Sequence, residues 1–292
     1  MPGSPVQPSL AGPGAREGAI ARRFRELAER GELGLIAYLT AGDPTLEGSE
    51  EIVLAAAEAG ADVIELGVPF SDPLADGPMI QRASERALRS GATLARVLEL
   101  ATRLRARTEV PLVVFSYFNP LLQMGLEQFA AAAARTGIDG VLATDLTCEE
   151  SEDYRRILRS HHLDTIFLGA PTSTEARLAR IAECSSGFVY LISRTGVTGT
   201  RDSLPEELPD LVRRVRRFTQ LPVAVGFGIS LPEHLSALGG IADAVVVGSA
   251  LVAEVERAVQ AGSGSSAAAL AVAKRIRLLK DAARRSGVSG RK

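Results

Sequence analysis

From Leu33 onward the chain alternates between short runs of apolar, β-favouring residues and longer stretches with helical periodicity. The strand-like runs are Leu33–Thr40, Asp62–Val68, Val110–Tyr117, Gly140–Thr144, Asp164–Leu168, Gly187–Ile192, Pro222–Gly226 and Asp243–Val247. Between them lie Ala-, Leu-, Glu- and Arg-rich segments such as LEGSEEIVLAAAEAG and LEQFAAAAARTG, which end on the glycine that a helix C-terminus favours. Strict alternation implies parallel strands joined by right-handed crossovers. About eight such units predict a (β/α)8 TIM barrel. The competing open, doubly wound sheet is disfavoured because no GxGxxG turn follows the first strand. The segment AIARRFRELAER, Ala19–Arg30, adds an N-terminal helix ahead of the barrel. Residues 1–16, rich in Pro, Gly and Ser, read as a disordered extension, and residues 17–292 as one barrel domain.

Charge narrows the partners. With 33 Lys and Arg against 35 Asp and Glu, the net charge is −2, and Arg is scattered rather than gathered into a stripe, so neither nucleic acid nor a membrane surface is indicated. No apolar run is long enough for a membrane span. Cys148 and Cys184 stand in unrelated contexts without CxxC spacing; a disulfide framework is not expected, and a reducing, cytoplasmic setting fits.

In a barrel, a phosphate commonly sits against the loops after the seventh and eighth strands. Those loops read GFGIS at Gly226–Ser230 and VVGSA at Val246–Ala250. Glycine there lets main-chain N–H groups approach an anion, Ser249 adds a hydroxyl, and a helix starting near Ala250 aims its positive end at the same spot. A third glycine-rich turn, SRTGVTGTR at Ser193–Arg201, follows the sixth strand; it reads equally well as a lid or as a solvated loop.

A phosphorylated substrate in a barrel points to aldol-type chemistry, and the residues restrict which kind. The only lysines are Lys274, Lys280 and Lys292, all in the last helix and tail, so a Schiff base at a strand end and covalent pyridoxal phosphate are both excluded. His161, His162 and His234 read as surface or helix-end residues rather than as metal ligands. What remains is acid–base chemistry by carboxylates. Strand alternation puts Val63, Glu65 and Gly67 on one face and Ile64 and Leu66 on the helix-facing side, so Glu65 is expected to point into the barrel near its C-terminal mouth. No arginine lies in a strand-like run to pair with it, and burial is expected to raise its pKa toward neutrality. Asp72 and Asp76 follow in the loop above it.

The stretch ELGVPFSDPLADGP at Glu65–Pro78, together with YLTAGDP, SRTGVTG, GFGIS and GSA, resembles the alpha-subunit family of tryptophan synthase from about Glu17 to the final helix. The resemblance implies a barrel enzyme that cleaves indole-3-glycerol phosphate to indole and glyceraldehyde 3-phosphate. It also implies that Glu65 is the residue protonating indole C3, and that Asp76 accepts the indole N–H. By the same carry-over, Tyr38, Phe115, Tyr117, Leu142 and Tyr190 line the substrate, Thr198 belongs to a lid, and Gly199, Gly228, Gly248 and Ser249 cradle the phosphate. No cofactor is implied in this chain; a pyridoxal-phosphate beta subunit is the implied partner in an α2β2 assembly. The loop after the second strand and residues 119–124 are its candidate contact surfaces. Thr147 stands where the family typically has proline. A free-standing lyase and a weakly catalytic activator of a beta subunit are the alternatives.

Overall fold

The computed structural model describes residues 17–192, 207–226, 228 and 231–285. Its strands are β1 (Gly34–Thr40), β2 (Val63–Gly67), β3 (Leu112–Ser116), β4 (Gly140–Ala143), β5 (Asp164–Ile166), β6 (Leu168–Gly169), β7 (Val189–Ile192), β8 (Val223–Gly226) and β9 (Ala244–Val247). All pairings are parallel, in the order β5-β4-β3-β2-β1-β9-β8-β7-β6. The expected fifth strand, Asp164–Leu168, is interrupted. Its first part pairs with β4 and its second with β7, while between them the Phe167 carbonyl accepts the N–H of Tyr190. The two ends of the sheet are thus neighbouring pieces of one chain segment, and the barrel closes through it.

Every residue of β1 and β2 is buried, as parallel strands covered on both faces require. Ile64 and Leu66 pack outward in the large core shared with the helices. Ile36, Val63, Val113, Leu142, Ile166, Tyr190, Ala224, Ala244 and Val246 form the inner layer. The predicted parity of Glu65 is therefore the observed one, with its register neighbours Tyr38 on β1 and Val113 on β3.

The N-terminal helix, Ala19–Arg30, does more than precede the barrel. Ile20, Phe24 and Leu27 join the inner cluster, and the Phe24 ring lies 5.7 Å from Phe188, so this helix plugs the N-terminal end of the strands. Polar threonines begin several of the outer helices: Thr45 accepts the N–H of Gly48, and Thr93 that of Arg96. No described helix is long and apolar enough to cross a membrane.

The final helix, Gly264–Arg285, is fastened by a buried charge pair. Lys280 Nζ lies 2.5 Å from Asp62 Oδ2 and 3.5 Å from Glu32, and the same Asp62 oxygen accepts the N–H of Leu35 at 2.8 Å. Lys280 is thus a staple at the N-terminal end of β1 and β2, away from the mouth. Lys280→Met would take the cation away from the buried Asp62; the expected loss is about 3 kcal/mol of unfolding free energy, read by chemical denaturation.

Candidate active site

Glu65 sits on β2 with no solvent exposure, and neither carboxylate oxygen has a hydrogen-bond partner among the described residues. Burial alone pushes its carboxyl up to about 8, because nothing near it offsets the loss of water. At neutral pH it is an acid held ready to donate.

Asp76 lies in the loop between β2 and the helix Pro78–Arg89. Its carboxyl is pushed up to about 6 by burial, against a hydrogen bond from Tyr117 that favours the anion. The two groups therefore separate between pH 6 and 8, where Asp76 is charged and Glu65 is protonated. The loop itself is pinned. The Tyr117 hydroxyl accepts the N–H of Ala75 at 2.9 Å, Tyr117 lies 5.0 Å from the Phe70 ring, and Gln81 Nε2 donates to the Asp76 carbonyl at 2.9 Å. The sequence reading placed Tyr117 in the substrate wall; its hydroxyl also holds the loop that carries Asp76. Gln81 went unnoticed, although its place one turn into the helix after the loop that carries Asp76 is a signal. Asp72 is exposed and accepts from its neighbour Ser71, which makes it a turn residue.

Two tyrosines close the inner wall around Glu65. Tyr38 packs edge-on against Phe115 at 5.0 Å, and Tyr190 joins Leu142 and Phe115 in the inner cluster. Both phenols are held far above their ordinary pKa, first by burial; for Tyr190 the next contribution is the Glu65 charge, and for Tyr38 it is Asp76. They remain protonated donors. Each phenol occupies room left by a glycine at a strand end. A Cβ on Gly67 would come within 2.3 Å of the Tyr38 hydroxyl oxygen, and one on Gly226 within 2.2 Å of that of Tyr190. These two glycines admit the tyrosines into the mouth, a function that glycine pattern alone did not reveal.

The helix Ser249–Gln260 opens at Gly248 without a side-chain cap, so its first N–H groups face the mouth unshielded. Gly248 lies against the Tyr38 ring, where an added Cβ would touch at 3.4 Å. Gly228 adopts φ +88°, a left-handed geometry that glycine allows without strain. Of the residues proposed for the phosphate and lid, Thr198 and Gly199 lie outside the described residues. The others are brought to the same end of the barrel.

Two features refine the sequence reading. His234 lies near the start of the helix Pro232–Leu238 and is buried, because that short helix turns His234, Leu235 and Leu238 toward the core. Cys148 and Cys184, remote in sequence, are buried neighbours: Cys184 Sγ lies 3.9 Å from the Cys148 carbonyl, and both are free thiols. Burial, then the nearby Cys184, pushes the Cys148 thiol up to about 12, which disfavours the thiolate. Among the described residues, no group of three or more His, Cys, Asp or Glu is arranged to hold a metal.

Comparison with known proteins identifies the family. The family model described as tryptophan synthase alpha chain matches residues 24–283. The tryptophan synthase alpha chain of Solibacter usitatus is 55% identical over 238 residues, covering 82% of this chain and 89% of that one. That of Geobacter sulfurreducens is 47% identical over 249 residues, covering 85% and 94%. Among solved structures, Mycobacterium tuberculosis tryptophan synthase superposes with a TM-score of 0.83 at 35% identity, over 91% of this chain and 98% of that one. The tryptophan synthase subunit alpha of Legionella pneumophila does so with a TM-score of 0.81 at 33% identity, over 91% and 98%.

Proposed function

The chain belongs to the tryptophan synthase alpha chain family: it is a lyase that cleaves indole-3-glycerol phosphate to indole and glyceraldehyde 3-phosphate, and we propose that Glu65 and Asp76 carry the reaction. Protonated Glu65 delivers its proton to indole C3, which converts the ring to a cationic indolenine. Asp76 accepts the ring N–H and holds the positive charge as it forms. The bond from C3 to the glycerol carbon then breaks, with its electron pair restoring the aromatic ring. The glycerol hydroxyl on that carbon becomes the aldehyde carbonyl, and its proton returns to the Glu65 carboxylate. One buried carboxyl therefore ends the cycle in the state in which it began.

A fixed anion such as Asp76 is worth most where water is excluded. Tyr38, Phe115, Tyr117, Leu142 and Tyr190 supply the apolar and aromatic wall against which an indole ring fits. Gly228, Gly248, Ser249 and the N-terminus of the helix Ser249–Gln260 supply main-chain and hydroxyl donors for the phosphate. Thr198 and Gly199 complete the lid and cradle in this reading.

The observation that carries the reading is the carboxyl of Glu65, without a hydrogen-bond partner among the described residues, fully buried at an inward strand position and raised to about 8. A structural role would have given it a cation or a donor.

We further propose a pyridoxal-phosphate beta subunit as partner, in an α2β2 assembly, with indole passed between the two. Two large apolar side chains support a partner at the mouth: Leu74, 90% exposed on the loop that carries Asp76, and Leu122, 54% exposed on the helix Phe118–Met124. Tyr117 connects these two segments, so a partner seated on both would bear on the position of Asp76. The departure at Thr147 is conformationally mild. Its φ of −82° and ψ of 154° are values a proline would adopt, so the turn keeps the shape that a proline there would impose.

The test is indole release from indole-3-glycerol phosphate by the purified chain, alone and with a beta subunit from the same organism, with Glu65→Gln as control. Cleavage that is stimulated by the partner and lost in the variant supports the lyase and its pairing. Cleavage without stimulation removes the partner and leaves the lyase. Absence of cleavage in both conditions overturns the reading.

A further inference from the structure

Four charged side chains from three separate segments meet beside the mouth, and the reaction described above makes no use of them. Arg86 donates from Nε and Nη2 to the two carboxylate oxygens of Asp43, each at 2.8 Å. Its remaining terminal nitrogen, Nη1, reaches Glu256 Oε1 at 2.9 Å. Arg82, one turn earlier on the same helix, grips both oxygens of Glu256 at 2.8 and 2.9 Å. The carboxylates are well buried, with side-chain exposures of 3% for Asp43 and 10% for Glu256. The two arginines hold Glu256 down at about 2, so Glu256 stays charged throughout the working range of pH, whereas burial raises the Asp43 carboxyl above its ordinary value against the pull of Arg86.

The segments it joins are the ones the chemistry needs. Arg82 and Arg86 lie on the helix Pro78–Arg89, which begins two residues after Asp76. Glu256 lies two turns into the helix Ser249–Gln260, whose first turn faces the phosphate cradle. Asp43 lies in the turn that follows β1, the strand that carries Tyr38. Beneath the charges, Ile80, Ala83 and Val252 from the same two helices pack on Tyr38. Bidentate arginine contacts fix orientation as well as distance. A buried ionic cluster is also a poor source of net stability compared with apolar packing, which leaves geometry as its gain.

We propose that Asp43, Arg86, Glu256 and Arg82 are positioning residues that lock the helix following Asp76 to the helix that cradles the phosphate, so that a seated phosphate sets where the indole end meets Asp76. The cluster converts phosphate binding into alignment at a carboxylate on a different loop. Misplacing a reacting group by about 1 Å can cost about 10²-fold in rate. This inference rests on the lyase reading above.

The experiment compares kcat/KM for indole-3-glycerol phosphate with that for indole-3-glycerol, which lacks the phosphate. The ratio measures what the phosphate contributes to catalysis. Glu256→Gln and Arg86→Lys are expected to lower that ratio about tenfold, mainly through kcat at saturating phosphorylated substrate. Lys280→Met, which destabilises the opposite end of the barrel, serves as the control and is expected to leave the ratio unchanged. A folded Glu256→Gln protein whose ratio equals that of the wild type overturns the inference and leaves the cluster a staple. Where Glu256→Gln does not fold, the half-exposed Arg82→Gln carries the test, with a drop of about threefold expected and an unchanged ratio overturning the proposal. A wild-type protein that cleaves neither compound overturns the lyase reading and this inference together, whereas cleavage with an unaltered ratio in the variants overturns the inference alone.

Discussion

Glu65→Gln is expected to lower indole release by about 10³-fold or more, the range that a positioned general acid contributes, while binding of the substrate is retained. Glutamine keeps the shape and fills the same space but has no proton to give to indole C3. Single-turnover assays with saturating substrate, beside a direct binding measurement, separate the two effects; a variant that still releases indole at a tenth of the wild-type rate would remove Glu65 from the chemistry. The pH dependence carries the same assignment. Activity requires Glu65 protonated and Asp76 ionised, so kcat/KM should rise with pH through about 6 and fall through about 8. These limbs belong to the pair as it titrates together. Stability follows with a definite sign. A carboxyl whose folded pKa lies above its ordinary value of 4.5 favours folding most below that value, and the advantage is lost as pH rises toward about 8. Wild-type stability should therefore decline between those limits relative to Glu65→Gln, a difference that chemical denaturation at pH 5 and pH 8 would reveal.

Asp76→Asn is expected to cost about 10²- to 10³-fold in kcat, the loss seen when one preorganised electrostatic contact to a transition state is removed. Asparagine still accepts a hydrogen bond from the ring N–H, so binding should change far less than turnover. What it lacks is the charge that stabilises the indolenine. The acid limb of the pH profile should vanish with the carboxylate. An unaltered kcat would show that the loop anion is a bystander. Tyr117→Phe offers the milder companion: with the hydroxyl gone, the Ala75 N–H loses its acceptor and the Asp76 anion loses a donor, so the acid limb should move upward.

Much of this arrangement was legible in the chain itself. The alternation of runs located each strand, and strand parity turned Glu65 inward, because side-chain direction along a strand is a local property with a period of two. The scarcity and placement of lysine excluded imine chemistry without any coordinates. The glycines at Gly228 and Gly248 marked the ends of the last two strands. The interruption of the fifth strand at Phe167 was not legible, since it reflects a change of hydrogen-bonding partner from β4 to β7 rather than any residue that breaks a strand.

Surroundings were decided elsewhere. That neither Glu65 oxygen has a hydrogen-bond partner among the described residues depends on what the other strands present to the interior once the ring is closed. The same holds for Tyr38 and Tyr190, which enter the mouth because Gly67 and Gly226 on adjacent strands leave room for them. It holds for Tyr117, whose hydroxyl turned to the loop of Asp76, and for Lys280, whose partner Asp62 lies in a distant part of the chain. The meeting of Asp43, Arg86 and Glu256 belongs with them. Periodicity and residue type act over a few neighbours and so are written in the order of amino acids. Burial, pairing and the shift of a carboxyl toward neutrality depend on which distant segments exclude water from the same few cubic ångströms, and only the folded barrel decides that.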